Sequence, residues 1–204
     1  TSGGLSVKLA DSVALSISVT ALLYLASFYL PIRLDLPFWI GFYLSFGSLA
    51  VAGILRRRPK VRWSWEIPIT LLLLVALLWL RFYQVRDLVL PAWVDSVHHA
   101  LITRVILEKG SIPASLAPYL DVPFAYYFGF HGLAATFSRI SGMTPENSIL
   151  ALGQVLNALV PLAIYRLGRA LWTDNTRPLI AALLVAFVSQ MPAYYVTWGR
   201  YTLL

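Results

Sequence analysis

The fold of this chain is decided by an uninterrupted apolar stretch, Leu71-Leu72-Leu73-Leu74-Val75-Ala76-Leu77-Leu78-Trp79-Leu80. With its flanks it forms residues 66–85, which approach the roughly 20 apolar residues that a helix needs to cross a bilayer. Comparable stretches occupy residues 10–31, 36–55, 148–171 and 179–198. The apolar residues form runs, whereas in the strands of a membrane barrel they would alternate with polar residues. The sequence therefore predicts an all-α polytopic membrane helix bundle with about five spans.

The overall composition agrees with this class of protein. Of the 204 residues, 59% are hydrophobic and 12% are charged, whereas about 25% are charged in a typical soluble domain. A net charge of +7 would suggest nucleic-acid binding in a soluble protein, but much of it is concentrated here in one basic run. We therefore expect no nucleic-acid partner. The absence of cysteine excludes disulfides, thiolate catalysis and cysteine metal sites.

The basic run Arg56-Arg57-Arg58-Pro59-Lys60-Val61-Arg62 predicts the orientation of the chain. Cationic loops stay in the cytoplasm, so this run and the amino terminus are predicted to lie on the cytoplasmic side of the cell membrane. Arg81 and Arg86 are then predicted to emerge on the outer side. A second group of arginines predicts that residues 148–171 end in the cytoplasm: Arg166, Arg169 and Arg177.

These charges divide the chain into three parts. Residues 1–86 hold three amino-terminal spans, residues 87–147 form an extracytoplasmic loop with amphipathic and interfacial helices, and residues 148–204 hold two further spans. Within the loop, apolar residues 124–137 are short for a span, so we interpret them as an interfacial or re-entrant helix. An ordinary span there is the alternative, and it would invert everything that follows. We expect the chain to be part of a longer protein.

The loop opens with the densest cluster of ionisable groups, Trp93-Val94-Asp95-Ser96-Val97-His98-His99. It begins a predicted amphipathic helix that ends near Lys109. Spacings of three and four place Asp95 with His98 and His99 on one helical face. Such a carboxylate with imidazoles can take a proton from a nucleophile, and Asp95 with His99 can help to hold a divalent metal such as Mg²⁺ or Mn²⁺. A helix N-cap is the alternative role for Asp95, and interfacial solvation the alternative for the histidines.

Further candidates for substrate binding follow in the sequence. His131 lies between two glycines in an aromatic setting, where it could serve as a structural histidine or ligate a tetrapyrrole. Tyr126 and Tyr127 could line a sugar or lipid site, or belong to an aromatic belt. Arg200, beside Tyr201, could bind phosphate through its planar fork or anchor a helix at the interface.

These segments together bear a resemblance to a known class. An acidic residue directly outside an early span, followed by an amphipathic helix, resembles the multi-spanning glycosyltransferases of the GT-C class. Other segments are similar to that class: Tyr126-Tyr127-Phe128-Gly129-Phe130-His131-Gly132, Tyr165-Arg166-Leu167-Gly168-Arg169 and Trp198-Gly199-Arg200-Tyr201. The resemblance covers about residues 91–204. It implies that Asp95 is the catalytic carboxylate of the first outer loop and that the donor is a polyprenyl-phosphate sugar.

Two hypotheses of different kinds follow. The first is the amino-terminal part of a glycosyltransferase that acts on the extracytoplasmic face, a part that we expect to be inactive alone. Asp95 would be the base or a metal ligand, His98 or His99 would assist, and Arg200 would hold the donor phosphate. The second is a non-catalytic transmembrane subunit of a larger complex, with other membrane subunits as partners and pigment bound through His131. Membrane lipid is a partner in both.

Overall fold

The structure is a computed structural model, and it describes residues 4–57, 66–92, 95–195 and 200–203. Regular structure in these ranges is entirely helical. The helices are α1 (Leu5–Tyr29), α2 (Leu36–Arg57), α3 (Glu66–Gln84), α4 (Asp95–Lys109), α5 (Gly129–Ser141), α6 (Pro145–Leu171), α7 (Thr176–Leu183) and α8 (Gln190–Ala193). A π-helical turn, Leu184–Val188, extends α7, and a 3₁₀ turn spans Tyr201–Leu203. Most of the basic run after α2, Trp93 with Val94, and residues 196–199 lie outside the described residues.

Three of the described helices are long and apolar enough to cross a membrane: Ser6–Tyr29, Leu36–Arg56 and Pro145–Leu171. The apolar helices Pro68–Gln84 and Thr176–Val188 are shorter. α2 exposes large apolar side chains such as Leu44, Leu49 and Leu55 to more than half of their surface, as a lipid-facing helix does. The all-helical class is thus confirmed, and membrane insertion fits the three long helices. The number of about five spans stays a prediction.

The last predicted span, residues 179–198, is interrupted in the structure. The backbone of α7 widens into the π turn, where the amide of Ser189 donates to the carbonyl of Leu184 at 2.8 Å. Ser189 is then extended, with φ −68° and ψ 131°. Arg81 on α3 is 2% exposed and donates from Nη2 to the Ala186 carbonyl at 2.9 Å. The Arg81 guanidinium is therefore buried against this turn and does not emerge from the bundle; the side of the membrane at which it lies stays a prediction.

Polar contacts fix the relative directions of the long helices. The hydroxyls of Ser6 and Thr70 lie 2.8 Å apart, so α1 and α3 begin at the same end of the bundle. α6 runs the opposite way, because Arg166 near its carboxyl end binds Asp11 of α1 at 2.7 Å. That common end carries Arg166, which the charge pattern assigns to the cytoplasm; the membrane topology itself stays a prediction.

α4 and α5 form a parallel pair at the other end of α6. His99 on α4 contacts His131 on α5, and eight residues further along each helix Arg139 donates to the carbonyl of Leu107. The pair packs against the α1–α2 region in a core that contains the buried residues Tyr24, Leu34 and Trp39 and, from α4, Ile106. Residues 124–137, predicted as one interfacial helix, therefore divide into an irregular segment and the start of α5. The inner face of α5 packs against α1, α4 and α6.

Candidate functional site

Asp95 is the first residue of α4, and the helix ends at Lys109 as predicted. The Asp95 side chain is exposed, so its carboxylate is accessible to a substrate. The two histidines that follow are not equivalent. His98 is exposed, whereas His99 is 4% exposed, because neighbouring residues of a helix point about 100° apart. The predicted common face is therefore shared by Asp95 and His99, one turn apart, and His98 lies at its solvent edge.

His99 and His131 form a buried hydrogen-bonded pair. Nδ1 of His131 lies 2.7 Å from the carbonyl oxygen of Tyr127, so this nitrogen carries a proton and donates. In the neutral ring Nε2 of His131 is then an acceptor, and it lies 2.9 Å from Nδ1 of His99, which must be the donor. The lone pair of His99 consequently resides on Nε2. Both nitrogens of His131 take part in hydrogen bonds, so its ring has no free lone pair for a tetrapyrrole while it is bonded to His99.

Burial keeps both rings neutral. The pKa of His131 is lowered from 6.5 to about 3, mainly by desolvation and to a smaller extent by the neighbouring His99. Desolvation also lowers the pKa of His99. The negative charge of Asp95 opposes this effect, whereas the neighbouring His98 reinforces it. The pair therefore acts as a neutral hydrogen-bonding unit at physiological pH. Charge at this end of α4 is carried by Asp95.

An aromatic pocket adjoins the histidine pair. It is an open pocket with a volume of about 690 Å³, of a size that suits a small ligand. Six aromatic residues line it: Phe28, Tyr29, Phe124, Tyr126, Tyr127 and Phe128. The ring of Tyr126 lies 5.9 Å from that of His99 and 5.7 Å from that of His131, centroid to centroid. Of the predicted substrate-binding residues, Tyr126 and Tyr127 thus line this pocket, and His131 lies behind it, in ring contact with Tyr126.

Tyr201 approaches the same pair of helices from the carboxyl-terminal end of the described chain. Its ring is 2% exposed, lies 5.8 Å from that of Phe130 and packs on Gly153 of α6. Phe130 directly precedes His131, so Tyr201 lies one residue removed from the histidine pair. Arg200 precedes Tyr201 and is exposed. Arg200, predicted to bind the donor phosphate, and Tyr201, predicted as a substrate-binding residue, therefore lie at the α4–α5 end of the bundle.

Sequence reasoning missed the residue that fixes Tyr201. Gln154, fully buried in α6, donates from Nε2 to the Tyr201 hydroxyl at 2.9 Å. An amide side chain in the middle of an apolar span was the available signal, since buried polar groups need partners. The ion pair between Arg104 and Glu146, at 2.5 Å, was also missed, and it ties α4 to the start of α6. Glu108, four residues after Arg104 on α4, accepts instead from the Tyr119 hydroxyl at 2.7 Å.

The metal prediction depends on two residues alone. Asp95 and His99 are one turn apart, and His99 Nε2 has a lone pair to offer. Among the residues that the structure describes, no group of three or more His, Cys, Asp or Glu side chains could hold a metal ion. A pair of protein ligands fits an ion that keeps most of its waters or is completed by phosphate oxygens, as Mg²⁺ commonly is.

Comparisons with protein-family models, with curated proteins and with solved structures find no match to this chain.

Proposed function

We propose that this chain carries the acidic site of a membrane glycosyltransferase that takes a sugar from a polyprenyl-phosphate donor on the extracytoplasmic face. One observation supports the proposal above the others. Residues from three distant parts of the sequence meet at one end of the bundle: the first turns of α4 with Asp95, the start of α5 with His131, and Tyr201 with its neighbour Arg200. A carboxylate, an aromatic pocket and a guanidinium are the groups that such a transfer requires.

Each group has a distinct role in the proposed reaction. The acceptor oxygen attacks the anomeric carbon, the bond between that carbon and the donor phosphate breaks, and polyprenyl phosphate leaves. The exposed carboxylate of Asp95 takes the proton of the acceptor. His99 orients the acceptor by accepting a hydrogen bond from it through Nε2. The guanidinium of Arg200 binds the phosphate that gains charge as it leaves. If a divalent metal binds, Asp95 and His99 hold it, and it neutralises that same charge.

The aromatic pocket would position the sugar or the first isoprene units of the donor. Its rings present flat apolar faces, and the phenolic hydroxyls of Tyr126 and Tyr127 add hydrogen-bonding groups at a partly exposed rim. The neighbouring histidine pair supports the wall of the pocket through Tyr126. A displacement of the Tyr126 ring would therefore weaken binding of the donor more than it slows proton transfer.

The test is Asp95→Asn in the full-length protein, with Asp87→Asn as the matched control. Asn begins helices as well as Asp does, so the replacement removes basicity and charge with little effect on α4. Asp87 is an exposed carboxylate of the same outer segment, and its ion pair with Arg86 contributes little because both side chains are solvated. Membranes with each variant are assayed for transfer of radiolabelled sugar from a polyprenyl-phosphate donor.

We expect Asp95→Asn to reduce transfer at least about a hundredfold, the usual minimum contribution of a general base, and Asp87→Asn to leave it unchanged. Undiminished transfer in the Asp95 variant would refute the assignment. A protein that has no transfer activity and co-purifies with visible absorbance would instead be the pigment-binding subunit.

A further inference from the structure

A second cavity, here named the α3–α7 groove, lies between α1, α3, α6 and α7. Its walls are mainly apolar and include Leu73, Leu77, Leu162, Ala182 and Phe187. Polar residues line the groove where α1 and α3 begin: Ser6, Thr70, Tyr165 and Asn175. The groove is thus apolar along most of its length and polar towards the end of the bundle that carries the Arg166–Asp11 ion pair.

Arg169 shares a face of α6 with Tyr165, which lines the polar end of the α3–α7 groove. It follows Tyr165 by four residues on α6, and helical side chains lean back over the preceding turn, so its guanidinium lies towards Tyr165. The side chain is half-buried, and its Nε is buried without a hydrogen-bond partner. Arg166 and Arg177, at the same end, have carboxylate partners, whereas Arg169 has none among the described residues. A partly desolvated guanidinium in this setting favours an anion.

We propose that the α3–α7 groove and Arg169 together bind an anionic phospholipid, with an acyl chain in the groove and the headgroup phosphate on the guanidinium. Basic pockets between membrane helices bind anionic headgroups in this way. The site is independent of Asp95 and of the proposed glycosyl transfer. Its location predicts that the lipid comes from the leaflet opposite to the Asp95 loop.

The size of the cavity decides between a lipid chain and a partner helix. Its volume of about 140 Å³ is close to that of an apolar cavity of about 150 Å³ that takes benzene, so it accepts about six carbons of a chain. One turn of an α-helix, with a pitch of 5.4 Å and a diameter of about 10 Å, occupies roughly 400 Å³. A chain segment therefore fits within the groove, whereas a partner helix could insert only its side chains.

The first experiment measures headgroup selectivity. The 204-residue chain is purified in detergent and titrated with dioleoylphosphatidylglycerol or dioleoylphosphatidylcholine, and bound lipid is counted by native mass spectrometry. We expect the anionic lipid to be retained with about tenfold higher affinity, as for one charge-assisted contact. Glycerol phosphate, which has the headgroup charge but no chain, should not displace it at equal concentration. Equal affinity for the two lipids, or efficient displacement by glycerol phosphate, would overturn the proposal.

Two variants with matched controls locate the site. Arg169→Gln should abolish the selectivity for the anionic lipid, whereas Arg56→Gln removes the same charge from α2, which does not line the groove, and should preserve it. Leu183→Trp fills the groove and should weaken binding of both lipids at least severalfold. Leu184→Trp, on the adjacent exposed position, should not.

Folding is checked by the unfolding midpoint of each variant, because only a variant with an unchanged midpoint reports on binding. Leu183 is itself partly exposed, so we expect the tryptophan to be tolerated there. Wild-type selectivity in Arg169→Gln, or wild-type lipid binding in Leu183→Trp, would place the lipid elsewhere and refute the site.

Discussion

Gly153→Ala tests whether α6 positions Tyr201 and, through it, Arg200. A Cβ built on Gly153 would lie 2.6 Å from each of three carbons of the Tyr201 ring. Carbon atoms in contact prefer about 3.5–4.0 Å, so the ring would have to move by roughly 1 Å. Such a movement also breaks the hydrogen bond of 2.9 Å between Gln154 Nε2 and the Tyr201 hydroxyl.

The expected magnitude follows from three contributions. Overpacking costs about 1–3 kcal/mol, and the lost hydrogen bond costs about 1 kcal/mol. Alanine in place of glycine inside a helix returns about 1 kcal/mol. The net effect is a destabilisation of about 1–3 kcal/mol, which is measured by denaturant unfolding in detergent with far-ultraviolet circular dichroism. The affinity for polyprenyl-phosphate sugar, measured in the full-length protein, should fall as well, because Arg200 moves with Tyr201.

The controls isolate the contact between the two side chains. Gly47→Ala lies on α2, where a Cβ meets nothing within 4 Å, and should be neutral or stabilising. In a Tyr201→Ala background the added Cβ has room, so Gly153→Ala should lose its cost there, a non-additivity of at least about 1 kcal/mol. If Gly153→Ala stabilises the protein as Gly47→Ala does, or if its cost survives the removal of Tyr201, the ring does not pack on Gly153 and the reasoning fails.

Three further outcomes are expected. The pKa of His131 is lowered from 6.5 to about 3, so burying the neutral ring costs no stability above pH 6.5. As the pH falls from 6.5 towards 3, the unfolded state binds a proton that the folded state does not, and the free energy of unfolding decreases. The unfolding midpoint should therefore drop between pH 7.5 and 4.5, and His131→Phe should flatten that dependence. A cysteine introduced at Ser115 should react with an impermeant thiol reagent in intact cells, and one at Thr173 should be protected; the reverse pattern would overturn the topology. Arg200→Lys should weaken donor binding by roughly ten- to a hundredfold in a titration, because lysine lacks the planar fork that binds phosphate; an unchanged affinity would make Arg200 an interfacial anchor.

The sequence was sufficient for the parts of the fold that depend on local composition. The predicted bounds of residues 36–55, 66–85 and 148–171 lie within three residues of α2, α3 and α6 at both ends. The predicted helix from Asp95 to Lys109 was also correct in its bounds. Apolar length, a proline at a helix start and charged ends are all encoded within one segment, so no knowledge of tertiary contacts was needed.

The interrupted last span shows where composition is insufficient. The hydropathy pattern shows that residues 184–188 are apolar, but it does not predict that they leave the hydrogen-bonding pattern of an α-helix. The carbonyl of Ala186 is satisfied by Arg81, 105 residues away, which the sequence had assigned to solvent because of its charge. From sequence alone, an arginine near the end of an apolar helix is predicted to be exposed, because its hydrogen-bond acceptor is not known.

The site itself depended on contacts over long sequence separations. Nothing local shows which of His98 and His99 is buried; both were predicted to assist catalysis, and His99 was also a candidate metal ligand. The distinction arises because His131, 32 residues away, binds one ring and leaves the other exposed. Tyr201 was predicted as a substrate-binding residue, but its hydrogen bond with Gln154, across 47 residues, could not be predicted.

The tautomers of the histidine pair distinguish the role of His99 from that of Asp95 in the proposed reaction. Because His131 donates to the Tyr127 carbonyl, His99 must donate to His131 and keeps a lone pair on Nε2. Protonating His99 would place a cation against a ring whose pKa is already far below its usual value, so burial disfavours His99 as the proton carrier. The side chain of Asp95 is exposed, whereas that of His99 is buried. In the proposed reaction Asp95 therefore abstracts the proton and His99 orients the acceptor, so the asparagine substitution at Asp95 is a sharper test of the proposal than any histidine variant.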